Sequence, residues 1–218
     1  MKAAYAAVIG ILVFLLSACV TGDEITSYVI DQDGAVALSI YRLNLTSGEK
    51  KTEDAKKELT TYIRNLEKKH GDLFKQLAKA NAQKVNVAIL RRASPGSFLI
   101  TGRIPSIDDF ATYLSEEDKD SRIVCTPISK ERTHGLVCEL TRKPSKEHAP
   151  LQTATSQANS FEETRFGLAA GSFTKAQGFV LADNKHSAIL DTDALTKMWN
   201  SQNPTITLSL EWQVHETR

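Results

Sequence analysis

The sequence predicts an α+β fold in which a mostly antiparallel sheet carries a long helix packed on one face. Three patterns carry that expectation. Ile206, Leu208, Leu210, Trp212 and Val214 alternate strictly with Thr207, Ser209, Glu211 and Gln213, the period-two pattern of a half-buried strand. Between Thr52 and Leu77 the apolar residues instead recur every three or four positions and mark one face of a helix. Elsewhere, hairpin-like strand pairs outnumber the places that need a crossover, so antiparallel pairing is expected to dominate.

The first pair of strands is Tyr28-Val29-Ile30 and Ala35 to Leu45, joined by the turn sequence Asp31-Gln32-Asp33-Gly34. Val36, Leu38 and Ile40 keep one parity, whereas Tyr41, Leu43 and Leu45 keep the other, which predicts a bulge near Tyr41. Thr52 is placed to cap a helix, with Glu53 and Asp54 suiting its positive end. Ala55, Leu59, Tyr62, Ile63 and Leu66 form its apolar stripe; Leu73, Phe74 and Leu77 continue it beyond a break at His70-Gly71-Asp72. Strands follow at Val85–Leu90 and Phe98–Ile104 around Ser94-Pro95-Gly96, then a short helix capped at Ser106 and running to Leu114. Cys125 and Cys138 flank a hairpin with a polar centre from Ser129 to Gly135. Residues 143–160 hold Pro144, Pro150 and Leu151 as their one large apolar residue, and read as a flexible loop between two strands of the same sheet. Phe161–Ala169, Phe173–Leu181 and Ser187–Leu190 read as strands, and Asp191–Trp199 as a short helix before the strand of Ile206.

Charge excludes one class of function. The 218 residues carry 27 Lys and Arg against 26 Asp and Glu, without the basic excess of a nucleic-acid binder. The charge is unevenly placed: residues 50–84 hold ten basic and five acidic groups, and residues 107–121 hold six acids and one lysine. A basic helix face of this kind suits a solvated surface, or contact with anionic headgroups or an anionic envelope polymer.

The first eighteen residues contain fifteen hydrophobic ones and a single charge, Lys2, and they close on Leu16-Ser17-Ala18-Cys19. A short positive start, an apolar run and small residues before a cut form a secretory signal. The ending resembles the lipobox of bacterial lipoproteins. That resemblance implies that the Cys19 thiol receives a diacylglyceryl group and that Cys19 becomes the first residue of the mature chain, held to the membrane by its lipid. Val20, rather than aspartate, follows Cys19, which in a Gram-negative host implies the outer membrane. The expected organisation is a signal peptide over 1–18, a lipidated tether over 19–27 and one α+β domain over 28–218. In an exported, oxidising setting Cys125 and Cys138 are expected to form a disulfide, worth about 3 kcal/mol for a loop of about 14 residues.

No catalytic constellation stands out. His70, His134, His148, His186 and His215 are scattered, without the spacing of a zinc site, and neither a nucleophile elbow nor a phosphate-binding loop is present. Asp191 and Asp193 read as helix capping, and Glu116 to Asp120 as a solvated acidic loop that lacks the EF-hand pattern. No cofactor is expected. The leading expectation is a non-enzymatic envelope protein that binds an envelope protein or polymer, or has a structural role. The alternatives are an envelope hydrolase whose catalytic acids lie far apart in sequence, and an accessory subunit of a secretion or transport assembly.

An N-terminal strand, the Asp33-Gly34 turn, a long helix and a Pro204-x-Ile206 run into an alternating strand together resemble the LppM-type lipoprotein domain. The resemblance implies an envelope-attached α+β domain without established catalytic residues. Many of that group carry a C-terminal membrane helix, whereas the residues up to Arg218 form no apolar tail.

Overall fold

Strand alternation is long enough in this chain to build two sheets. The computed structural model describes residues 20–117, 121–130, 133–142, 161–200 and 205–214. The elements are β1 (Val20–Ile30), β2 (Val36–Ser47), α1 (Thr52–Glu67), α2 (Asp72–Lys79), β3 (Gln83–Arg91), β4 (Gly96–Ile104) and α3 (Ile107–Leu114), then β5 (Glu116–Glu117), β6 (Ser121–Lys130), β7 (Thr133–Arg142), β8 (Glu162–Leu168), β9 (Ser172–Gln177), β10 (Phe179–Leu181), β11 (Ser187–Leu190), α4 (Thr192–Asn200) and β12 (Thr205–Gln213). The larger sheet runs β10-β11-β8-β1-β2-β4-β3 and the smaller one β5-β6-β7-β12-β9.

This corrects the expected fold class. Most of the described residues lie in strands, in two sheets rather than one, and the larger sheet is mixed because β8 pairs parallel to β1, Glu162 opposite Glu24 through Leu168 opposite Ile30. The break expected at His70-Gly71-Asp72 is present, with Gly71 at φ 120° dividing α1 from α2, so no single long helix packs on the sheet. Alternation shows which residues face a core, but it does not show which strand lies alongside. The parallel partner of β1 is far away in the chain, so no local turn announces it. The strands on either side of 143–160 belong to different sheets, β7 to the smaller and β8 to the larger. The flexible loop expected over 143–160 lies outside the described residues.

Residues 20–27, expected as tether, form the first part of β1, with Val20 opposite Ser47 and Glu24 opposite Arg42. The bulge in β2 falls at Asn44 rather than Tyr41. Val36, Leu38, Ile40 and Arg42 hold one face continuously, and the register slips before Leu45. Asn44 takes the left-handed conformation, φ 52°, and its amide donates to Asp23 Oδ2 at 2.6 Å. Asparagine tolerates that geometry better than most residues, so the kink is coded locally.

On the inner face of the larger sheet Tyr28, Ile30, Val36, Leu38, Phe98 and Ile100 are buried. The stripe Leu59, Tyr62, Ile63 and Leu66 of α1 covers the β2 side, with Leu73, Phe74 and Leu77 of α2 extending it. Fully burying such a side chain is worth about 1.5–3 kcal/mol each, which is why the amphipathic stripe fixes the helix on the sheet. The smaller sheet packs its own apolar row, Leu136, Cys138, Leu208 and Leu210, against Phe166, Phe179 and Leu190 of the larger, leaving an apolar cavity of about 20 Å³. At the seam sits α3, where Ser106 Oγ accepts from the Asp109 amide at 3.1 Å, the expected cap. Its Phe110 ring lies 4.9 Å from that of Tyr28.

The run expected as one strand over Phe173–Leu181 is cut at Gly178, φ 81°, so that β9 joins the smaller sheet and β10 the larger. A Cβ at Gly178 would meet Leu208 Cδ2 at 2.3 Å, so both the conformation and the space require glycine. Cys125 and Cys138 stand opposite each other across β6 and β7 and form a disulfide, with Cα atoms 4.0 Å apart.

Candidate functional site

The charged residues placed on the inner face of the larger sheet are the least expected feature of the fold. Glu24 lies between Thr26 and the strand start on β1, and Arg42 follows Ile40 on β2, so strand parity turns both side chains inward. Only 4% of Glu24 and 8% of Arg42 is exposed. Burying two charges costs several kcal/mol each unless their bonding is complete. Here Arg42 Nε is paired with Glu24 Oε2, Arg42 Nη1 donates to the Tyr62 hydroxyl at 3.1 Å, and Thr26 Oγ1 donates to Glu24 Oε1 at 3.1 Å. Burial works against the charge on Arg42, but Glu24 and Tyr62 outweigh it and hold its pKa above the ordinary value. Burial likewise pushes the Tyr62 phenol up, against the pull of Arg42.

Glu162 stands opposite Glu24 across the parallel ladder, on the same face of the sheet, and is exposed at the start of β8. Its carboxyl is raised first by partial burial and then by the charge of Glu24. The sign follows. A carboxyl with a raised folded pKa contributes stability below its ordinary range and loses it as pH rises through the raised value. The Glu162→Gln variant should therefore gain stability relative to the parent protein between about pH 4 and pH 7. Thermal unfolding midpoints of both proteins at the two pH values give the answer; a pH-independent difference would uncouple Glu162 from Glu24.

On the solvent side of Tyr62 an open groove of about 690 Å³ runs along α1, lined by Glu49, Asp54, Lys57, Glu58, Thr61, Tyr62, Asn65, Leu66, His70 and Gly71. Both signs of charge line it, and Glu58 accepts from Ser47 Oγ. The groove offers hydrogen bonds and charges to a ligand but no activated nucleophile. Tyr62 is committed to Arg42, and the other phenols near the core, Tyr28 and Tyr113, are pushed up by burial and stay neutral.

The structure distributes the residues singled out from sequence rather than gathering them. Cys19 and the Leu16-Ser17-Ala18-Cys19 motif lie outside the described residues, as do His148 and His215. The disulfide of Cys125 and Cys138 lies in the smaller sheet, where Cys138 forms part of the wall of the apolar cavity. His70 borders the groove, His134 lies 6.4 Å from the ring of Trp212, and His186 is on an exposed turn. Asp191 Oδ1 accepts from the Ala194 amide at 2.8 Å, the expected helix cap. In the basic stretch Glu53, Asp72 and Glu67 are taken up by Lys56, Lys75 and Arg92, and in the acidic stretch Glu117 lies 4.0 Å from Arg122. No group of three or more potential metal ligands occurs among the described residues.

Glu24, Arg42 and Tyr62 were not legible as a unit. The available signal was parity: both charges fall in the same alternating phase as the core residues beside them.

No protein-family model matches the chain, and no curated protein matches it in sequence. Among solved structures, it is similar to the NMR structure of the Mycobacterium tuberculosis LppM protein folded domain, with a TM-score of 0.42 and 11% identity over 90% of this chain and 93% of that one. A likeness at that level assigns neither a site nor an activity.

Proposed function

We propose that the chain is a lipid-anchored, non-enzymatic lipoprotein of the cell envelope with a binding or structural role. The observation that carries this reading is the motif Leu16-Ser17-Ala18-Cys19 at the close of a strongly apolar run with one positive charge, Lys2. By its likeness to the lipobox, Cys19 takes the diacylglyceryl group on its thiol and heads the mature chain, and the two acyl chains of that group, with a third on the new N-terminus, make the anchoring stable. In a Gram-negative host, Val20 after Cys19 directs the protein to the outer membrane. The disulfide of Cys125 and Cys138 suits the oxidising side of a membrane. The mixed-charge groove along α1 is the face this reading offers to an envelope protein or polymer.

The Cys19→Ala variant should lose all labelling by a palmitate analogue and accumulate as the longer precursor, seen by intact mass. A variant that is still labelled and trimmed normally would sink the lipoprotein reading.

A further inference from the structure

β1 already includes Val20, the residue that follows Cys19 in the sequence, and Val20 is buried at 5% exposure. No slack therefore separates residue 19 from the folded strand. The register fixes what lies at that end of the larger sheet. Val20 is opposite Ser47, Leu45 is opposite Gly96, Ser97 is opposite Arg91, and Glu24 is opposite Glu162. Two large apolar side chains stand out there into solvent, Leu90 at 54% and Phe161 at 53% exposure. Phe161 is held in place, its amide donating to Asp23 Oδ1 at 2.8 Å and its carbonyl accepting from the Glu24 amide at 2.7 Å. Behind them a half-buried apolar row, Ile25, Tyr41, Leu99 and Ala88, crosses four neighbouring strands on the outer face. The loops at this end also carry Lys50, Lys51 and Arg91, exposed and with no ion-pair partner among the described residues, against the single acid Glu49 in the same loops. The opposite end of the sheet carries Asp31 and Asp33 paired with Arg103, and a turn in which Asp183 is matched by Lys185.

We propose that this end of the larger sheet rests on the lipid bilayer, with Leu90 and Phe161 in the boundary between headgroups and acyl chains and Lys50, Lys51 and Arg91 against anionic headgroups. The proposal rests on membrane attachment at residue 19, as in the function proposed above. A strand that starts at the anchor cannot lift its end away from the surface. Exposed apolar side chains flanked by cations are the composition that the interface favours. The domain then stands with β1 rising from the membrane, and the Asp33 turn is its far end.

The test uses the full chain, processed in cells and reconstituted in vesicles of phosphatidylethanolamine and phosphatidylglycerol containing brominated lipid. A fluorescent label is placed at Leu90→Cys, Phe161→Cys, Val180→Cys, Gln32→Cys or Asp183→Cys, one at a time under non-reducing conditions. Quenching at positions 90 and 161 should exceed that at 32 and 183 by about threefold or more. Equal quenching at both ends, or none at 90 and 161 in membrane-bound protein, overturns the proposal. So does strongest quenching at 180, which means that the sheet lies flat. Shielding of position 90 in native membranes but not in lipid vesicles overturns it in favour of a protein partner. Exchanging Lys50, Lys51 and Arg91 together for glutamine should roughly halve quenching at 90 in phosphatidylglycerol vesicles and leave it unchanged in phosphatidylcholine. An equal effect in both lipids removes the headgroup contact. The anchor is read separately, from the mass of the N-terminal peptide. If Cys19 carries no acyl group while residues 1–18 hold the chain to the vesicle, the lipoprotein reading fails and the quenching pattern still decides the orientation. Protein that stays off the vesicle defeats both.

Discussion

Replacing Arg42 with alanine is expected to destabilise the protein by about 3–5 kcal/mol, the cost of leaving a buried carboxylate without its partner. Among the described residues, the Glu24 carboxylate would keep the bond from Thr26 Oγ1, and the Tyr62 hydroxyl would lose the donor that Arg42 Nη1 supplies. Urea unfolding measures the change, read as a shift of midpoint at constant slope. A companion variant separates the charge from the packing. Arg42→Met together with Glu24→Met removes both charges and retains bulk, so it should cost much less than Arg42→Ala alone. If the double variant is as damaged as the single one, the cluster acts through shape rather than charge. Loss of less than about 1 kcal/mol in Arg42→Ala would mean that water reaches Glu24 and that the pair is effectively exposed.

The second large effect is expected at the disulfide. Changing Cys125 and Cys138 together to alanine should lower stability by about 3 kcal/mol, mainly by freeing the unfolded chain that the bridge constrains. The loss should be largest in the smaller sheet. Cys125 ties β6 to the end of α3 through its amide, which donates to Ser115 Oγ at 2.9 Å, and Cys138 faces the apolar cavity. Reductant on the parent protein should reproduce the shift in the urea midpoint and have no effect on the double variant. A parent protein indifferent to reductant, with two thiols found by mass after alkylation, would show that the bridge is not formed.

Much of the fold was written in local patterns. The strict alternation from Ile206 to Trp212 became β12, the stripe from Leu59 to Leu66 became the buried face of α1, and Ser106 caps α3 as its spacing with Asp109 requires. Partnership was not local. β8 lies parallel to β1 although the chain between them builds most of the smaller sheet, and nothing in the residues of either strand names the other. Arg42 misled in a specific way. A charged residue in the phase of Ile40 looks like the point where the buried face changes sides, whereas it continues that face, and the kink waits until Asn44. The same rule hid Glu24 within a stretch that read as tether. Phe173–Leu181 read as one strand, and only the three-dimensional register shows that at Gly178 the run leaves one sheet for the other. The candidate site was illegible for the same reason: it consists of polar residues in places where the pattern expects apolar ones.

The central place of β1 has a mechanical consequence. It is hydrogen-bonded on one side to β2 and on the other to β8, along most of its length. Tension drawn through residue 19 runs along the axis of this strand, perpendicular to its hydrogen bonds, so that both ladders are sheared at once rather than opened one bond at a time. The antiparallel and the parallel neighbour resist together, and the buried pair of Glu24 and Arg42 sits near the pulled end as an additional crosslink. A pull between residue 19 and the body of the domain would therefore meet a stiff connection at β1, and the weaker joints lie elsewhere, in the short pairings of β5 and of β10 with β11.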